Sequence, residues 1–197
     1  IVDIEVGVGR TGKLTPVALL EPVNLMGTTI THASLHNEDE IKRLGVRIGD
    51  TVIIKKAGDI IPKVVRVLKE LRPDDAKPFR MPRRCPHCDS ELVHTEGEVG
   101  TFCKNKQCAA RRNERLTFFV SKKAMNIDGL GEKMIDLFMD EGLVSEPADI
   151  FKLESSEIAA LPGLGEHKKE KLVREIKTRK KGVPLARFIT ALDIPHV

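Results

Sequence analysis

The chain has 197 residues, 41% of them hydrophobic, which suits either one large domain or two to three small ones. Aromatic residues make up only 4%, with neither Trp nor Tyr, so the cores must be built from aliphatic side chains and seven Phe. The net charge of +4 alone says little about partners, but no apolar run approaches the ~18 residues of a membrane span and the N-terminus lacks a signal-peptide layout, so we expect an excised piece of a cytosolic protein without membrane contact.

The first seventy residues have the composition of short strands. Runs rich in β-branched residues occur at 17–20, 51–54 and 63–68, and glycines and prolines punctuate the segments between them. This spacing predicts a small all-β barrel.

Two segments depart from the strand pattern. A helix is predicted at residues 37–44, because Asn37 is a fair N-cap, acidic residues occupy the first turn and Gly45 follows the last. A linker is predicted at residues 71–84, since prolines within it and just after it break regular structure.

All four cysteines lie in one short segment, as two pairs separated by fourteen residues. The first pair is Cys85 and Cys88, and the second is Cys103 and Cys108. Two tight turns that donate two thiolates each supply the tetrahedral set that zinc prefers, and four thiolates leave no open position for water. We therefore predict a structural zinc site. A pair of disulfides is the alternative, which a cytosolic chain disfavours. His87 and His94 are expected to be surface histidines.

Beyond the cysteines the chain becomes helical and charged, and it contains an internal repeat. Residues 127–132 (IDGLGE) match residues 161–166 (LPGLGE) at an offset of 34, and a segment with basic residues follows each copy. A tetratricopeptide array has a similar period, but its Trp and Tyr pattern is absent.

The glycines of this repeat suit a phosphate contact. They permit a tight turn, and the following helix then presents free backbone N–H groups at its N-terminus, where the helix dipole favours an anion. Basic residues supply further charge, since residues 166–187 contain nine Lys and Arg against three Glu, a net of +6. A plain turn between two helices is the alternative for one copy; two copies at a fixed offset favour helix-hairpin-helix units, which contact the backbone and not the bases.

Several segments together resemble bacterial NAD-dependent DNA ligases, in the same order along the chain. They are residues 8–18 (VGRTGKLTPVA), 27–29 (GTT), 33–41 (ASLHNEDEI), 48–62 (IGDTVIIKKAGDIIP), the cysteine segment, and 124–133 (AMNIDGLGEK). The resemblance covers nearly the whole chain, and it implies an oligonucleotide-binding (OB) barrel, a four-cysteine zinc ribbon and an all-α helix-hairpin-helix domain. We expect these at 1–78, 79–114 and 115–197, the last one C-terminally truncated near residues 194–197.

The resemblance also implies an activity and its partners. The family seals nicks in duplex DNA during replication and repair, first moving AMP from NAD to a lysine in a Lys-x-Asp-Gly motif. That motif is absent here, and the nearest look-alike, residues 126–129, begins with Asn. No catalytic residue is therefore expected in the chain; NAD and Mg²⁺ belong to the full-length enzyme. The expected partner is nicked double-stranded DNA, bound by a monomer in the bacterial cytoplasm at the nucleoid.

The resemblance assigns DNA-binding residues to two groups. In the barrel they are Arg10, Thr11, Lys55, Lys56, Gly58, Asp59 and Ile60. In the hairpins they are Gly129, Gly131, Lys133, Gly163, Gly165, His167 and Lys168. The chain departs from the family at Gly7, where Gln is frequent, at Lys55 or Lys56, where Arg is frequent, and at Lys169, where a small residue is usual.

Two alternatives come from other classes of protein. A scaffold module could use the zinc ribbon to bind a protein, and salt-dependent DNA binding would distinguish it. A hairpin-containing nuclease would need a carboxylate cluster for Mg²⁺. The acids at Glu38, Asp39 and Glu40 are better explained as first-turn charges of a helix.

Overall fold

The structure, a computed structural model, describes residues 1–25, 27–55, 62–94 and 100–194. The chain divides into two compact units, Ile1–Cys108 and Ala109–Val197. Across the described ranges, no helix has the length and apolar character needed to cross a bilayer.

The first unit is built on a five-stranded sheet. Its strands are β1 (Asp3–Val8), β2 (Leu14–Leu25), β3 (Thr28–Ser34), β5 (Val52–Lys55) and β6 (Lys63–Val67), in the order β1-β2-β3-β6-β5. Only the β3–β6 pair is parallel among them. β1 and β5 are the edge strands. The backbone N–H of Gly49 donates to the carbonyl of Ile1 at 2.9 Å, and this hydrogen bond links the segments that precede these two strands. The strands predicted at 17–20, 51–54 and 63–68 are confirmed.

One face of this sheet forms the core of the first unit. Ile4, Ala18 and Ala33 lie side by side on β1, β2 and β3, and all three are buried. Residues of β2 alternate between buried and half-buried positions over its first half, as expected for a strand with one face inside. Small alanines in the central row leave room for larger side chains from the facing elements.

Helix α1 (Glu38–Leu44) closes one side of this core, and its prediction is confirmed at both ends. The Asn37 side chain accepts a hydrogen bond from the backbone N–H of Glu40 at 2.9 Å. Gly45 ends the helix with a φ of 63°, a left-handed conformation that favours glycine. Ile41 and Leu44 are buried against the sheet.

The segment at 71–84 was predicted as a linker, and that prediction is wrong in part, because the segment packs on the sheet. It contains strand β7 (Lys77–Pro78), which pairs with β4 (Arg47–Ile48). Arg72 donates to both carboxylate oxygens of Asp50, at 2.7 and 2.9 Å, and Asp50 is only 1% exposed. A buried carboxylate needs a cation, and a partner 22 residues away leaves no local pattern in the sequence.

The remaining strands, β8 (Leu92–His94) and β9 (Thr101–Cys103), form an antiparallel pair beside the cysteines. The second unit is helical throughout its described part. Its helices are α2 (Ala109–Val120), α3 (Glu132–Asp140), α4 (Pro147–Ile150), α5 (Ser155–Ala160), α6 (Glu166–Lys181) and α7 (Leu185–Ala191). One continuous apolar cluster, which includes Leu116, Phe138, Ile150, Ile158 and Leu172, holds them together.

Candidate metal centre and nucleic-acid interface

The four cysteine sulfur atoms converge on one point. All lie within 4.8 Å of one another, with Cys85 Sγ 3.9 Å from Cys108 Sγ and Cys88 Sγ 3.6 Å from Cys103 Sγ. A tetrahedron with Zn–S bonds of about 2.3 Å separates its sulfurs by roughly 3.8 Å, so the set matches a closed, structural zinc site. The two observed distances are too long for disulfides, and none of the four cysteines forms one.

Local backbone turns place these thiols. The N–H of Cys85 donates to Ser90 and the N–H of Asp89 donates back to Cys85, which closes the first knuckle. Hydrogen bonding with Ser90 lowers the pKa of Cys88 to about 6, whereas burial raises the pKa of Cys103 to about 12. Metal ligation requires the deprotonated form of each thiol. The positive charge of a bound dication would offset the unfavourable free energy of burying these thiolates.

Neither nearby histidine joins the cluster. His87 and His94 are both exposed, and His94 Nε2 lies 3.4 Å from the hydroxyl of Thr101. Their expected place on the surface is confirmed.

The turn that carries Arg10 and Thr11 lies between β1 and β2, and both residues are exposed. The turn is attached to the metal knuckle, because the backbone N–H of Cys103 donates to the carbonyl of Gly12 at 2.8 Å. An isolated bridge between Lys13 and Phe102 adds a second link. These contacts therefore link a predicted metal ligand to the turn that carries two of the predicted DNA contacts.

Lys55 ends β5 on the exposed surface, directly across the antiparallel pair from Lys63. Lys63 was not among the predicted DNA contacts. The register of β5 on β6 places it opposite Lys55, where two like charges would cost stability without a nearby anion. The other predicted residues of this loop, Lys56, Gly58, Asp59 and Ile60, lie outside the described residues.

The first of the two predicted hairpins, at residues 127–132, precedes α3 and contacts α6. Gly129 has a φ of +85°, and a Cβ there would lie 3.3 Å from Leu172 Cδ2. Asp128 pairs with Lys171 of α6 at 2.5 Å, and that contact lowers the pKa of the carboxyl group. Gly131, the N-cap of α3, differs: its φ of −97° suits any residue, and no described atom lies within 4 Å of an added Cβ.

The second hairpin repeats this arrangement before α6. Gly163 has a φ of +70°, and Gly165 is the N-cap of α6 with an ordinary φ of −70°. Open space surrounds both positions. Lys169, where the family has a small residue, extends away from the turn and donates its ammonium to the carbonyl of Ala159, so that it caps α5.

The basic residues assigned to the hairpins occupy the first turns of the helices that follow. Lys133 is the second residue of α3, and His167 and Lys168 are the second and third residues of α6; all three are exposed. Sequence reasoning missed Arg179, whose guanidinium donates to the carbonyl of Asn126 at 2.9 Å and fixes the entry to the first hairpin. The two partners are 53 positions apart, so no local pattern in the sequence indicates the contact.

The acids of α1 take part in ion pairs within the helix. Glu38 pairs with Lys42 at 2.8 Å and Glu40 with Arg43 at 2.7 Å. Over the described ranges, the cysteine cluster is the group with the geometry to hold a metal ion. The role of first-turn charges explains these acids.

Comparisons with known proteins match two parts of the chain to domain families. Residues 1–76 match the NAD-dependent DNA ligase OB-fold domain, and residues 84–110 match the NAD-dependent DNA ligase C4 zinc finger domain. Proteins named DNA ligase are similar along the whole chain: that of Halalkalibacterium halodurans is 50% identical over 197 residues, and that of Macrococcus caseolyticus is 47% identical over 195. The protein of the same name from Pseudomonas putida is 46% identical over 210 aligned residues. The chain spans 27–29% of the length of these relatives.

Proposed function

We propose that this chain, which carries the OB-fold and C4 zinc-finger domains of NAD-dependent DNA ligases, is the DNA-binding portion of such an enzyme. It binds nicked duplex DNA through backbone contacts, as a monomer, in the bacterial cytoplasm at the nucleoid. The lysine that receives AMP, the NAD site and the Mg²⁺ sites belong to other parts of the ligase. Phosphodiester formation is the activity of the whole enzyme, which this portion supports by holding DNA.

Three modules divide the work, an OB barrel at 1–78, a zinc ribbon at 79–114 and a helix-hairpin-helix domain at 115–197. In the barrel, Arg10, Thr11 and Lys55 contact phosphates, and Lys56 and residues 58–60 continue that surface. The hydrogen bond from Cys103 to Gly12 supports a positioning role for the zinc ribbon, since the metal knuckle holds the turn that carries Arg10 and Thr11.

The observation that carries the proposal for the hairpins is the difference between the two glycines of each copy. Gly129 and Gly163 adopt left-handed backbone, so the turn itself requires them. Gly131 and Gly165 have ordinary backbone and open space, so nothing among the described residues requires glycine there. Each stands at the N-terminus of a helix, where a missing side chain lets a phosphate reach the free N–H groups.

Asparagine at these two N-caps provides the test. Gly131→Asn and Gly165→Asn keep a favourable N-cap, but the side-chain oxygen accepts from the N–H groups that the phosphate needs. Losing a charge-assisted hydrogen bond costs roughly 1.5–3 kcal/mol, so affinity for a nicked duplex should fall about tenfold or more for each substitution. Fluorescence anisotropy with two duplexes of unrelated sequence measures the loss, which should be equal for both.

Gly182→Asn is the matched control. Gly182 ends α6 in extended backbone and also has open space around it, but it belongs to neither hairpin. Its substitution should leave binding unchanged. If the hairpin variants fold by circular dichroism and still bind as tightly as the parent, or lose affinity for one sequence only, these glycines do not admit a phosphate and the hairpins do not bind the DNA backbone.

A further inference from the structure

A groove of about 520 Å³ runs between α5 and α6 in the second unit. On the α5 side the groove is lined by the small residues Ser155 and Ala159. Val173 of α6 is half-buried at its floor. A volume of this size lies within the range of sites that accept a side chain or a small ligand.

Three cations line one side of the groove. Arg174, Lys177 and Lys181 are spaced i, i+3 and i+7, so they share one face of α6 over about 10 Å. All three are exposed, and none takes part in an ion pair within the described ranges.

Other basic residues of α6 have partners inside the unit. Lys171 pairs with Asp128, Arg179 donates to Asn126, and Lys180 donates to the carbonyl of Phe151 at 2.7 Å. Lys169 caps α5. Arg174, Lys177 and Lys181 therefore differ from these residues, because no ion pair within the described ranges neutralises their charge.

The hairpin contact proposed above does not account for these three cations. A phosphate at the N-terminus of α6 would lie beside Gly165, whereas Arg174 begins about 14 Å farther along the helix and Lys181 lies about 24 Å away. Glu170 lines the groove between these two places, whereas Glu166 is the first residue of α6 and pairs with Lys169 at 3.3 Å. The Glu170 carboxylate would repel the closely spaced phosphates of a DNA strand lying in the groove.

We propose that the α5–α6 groove binds a protein segment that presents an apolar side chain flanked by carboxylates. The apolar side chain packs on Val173 and Ala159, and the carboxylates pair with the cations at the C-terminal half of α6. Glu170 favours a basic residue at the opposite end of the segment, which sets its direction. Charge complementarity of this kind selects partners and directs their approach.

Selection of short random peptides displayed against the 197-residue chain tests the proposal. The enriched peptides should carry an apolar residue next to Asp or Glu. Three variants then locate the site by fluorescence polarisation: a groove variant with Arg174→Glu, Lys177→Glu and Lys181→Glu, a filled variant with Ala159→Met, and a control with Arg80→Glu, Arg83→Glu and Lys123→Glu. The control makes the same charge change at exposed residues outside the groove.

The groove variant should bind the selected peptides about tenfold more weakly or worse, because like charges replace attraction, while the control keeps most of the affinity. The filled variant, whose charge is unchanged, should also lose affinity. If no acidic peptide is enriched, or if the peptides bind the groove variant as well as the control, the proposal is wrong. It is also wrong if the groove variant keeps its affinity for the peptides and instead loses more nicked-duplex affinity than the control, since the cations would then bind phosphates.

Discussion

Cys103 is fully buried, and burial is the largest of the causes that raise its pKa to about 12. We expect one zinc ion per chain by elemental analysis after gel filtration. Cys103→Ser should reduce the stoichiometry to near zero, since three remaining thiolates leave the tetrahedron open.

His87→Ala is the matched control for this substitution. The residue is exposed in the same knuckle and lies outside the cluster, so the metal content should not change. A parent protein without zinc and with four oxidised cysteines would contradict the assignment.

The metal set was predictable residue by residue, since zinc-ligand spacing is written directly in the chain. The same holds for Asn37 and Gly45, because a helix cap involves only neighbours in sequence. The opposition of Lys55 and Lys63 was not predictable, as it depends on the register of two strands and on the irregularity between Ile53 and Ile54.

Among the elements, α6 packs closely against the first hairpin and limits which side chains fit there. Its Leu172 is fully buried and touches the space that a side chain at Gly129 would need. Gly129→Ser should therefore lower the free energy of unfolding by roughly 1–3 kcal/mol, from left-handed backbone and the close contact. Gly131→Ser should leave it within about 0.5 kcal/mol or raise it, because serine is a good N-cap.

Urea unfolding followed by helical circular dichroism compares these two substitutions. Both variants replace glycine with serine, at positions two residues apart. Any effect of the serine side chain itself is therefore common to both and cancels when their free energies of unfolding are compared. Equal losses of stability would contradict the distinct roles given to the two glycines. The sequence alone treats them as equivalent, because their difference comes from α6, whose Leu172 lies 43 residues beyond Gly129.

At the scale of the whole molecule, we expect DNA binding to depend on contacts with phosphate charges and not on the base sequence. Affinity for the nicked duplex should fall with salt by about 0.9 log units per log unit of salt for each phosphate contact. Lys133→Ala and Lys168→Ala should each reduce that slope by about one and weaken all sequences alike. A titration series from low to high salt measures the slope; an unchanged slope in both variants would remove these lysines from the interface.

Binding without chemistry is the second expectation at this scale. Incubation with NAD and Mg²⁺ should leave the chain unmodified by intact mass, since it has no Lys-x-Asp-Gly motif. A full-length ligase in a parallel reaction serves as the positive control. A stable AMP adduct on any lysine of the chain would refute the division of labour proposed here.

The hydrogen bond from Cys103 to Gly12 also bears on how the protein is made. The two residues are 91 positions apart, so the turn of Arg10 and Thr11 leaves the ribosome long before its anchor exists. At roughly 5–20 residues per second, that interval lasts about 5–18 s. During synthesis the barrel strands can pair first, and the turn acquires its final support only when the second cysteine pair has emerged and can take up metal. If zinc is needed to order the second cysteine pair, its supply to the nascent chain should set when the turn of Arg10 and Thr11 acquires this support.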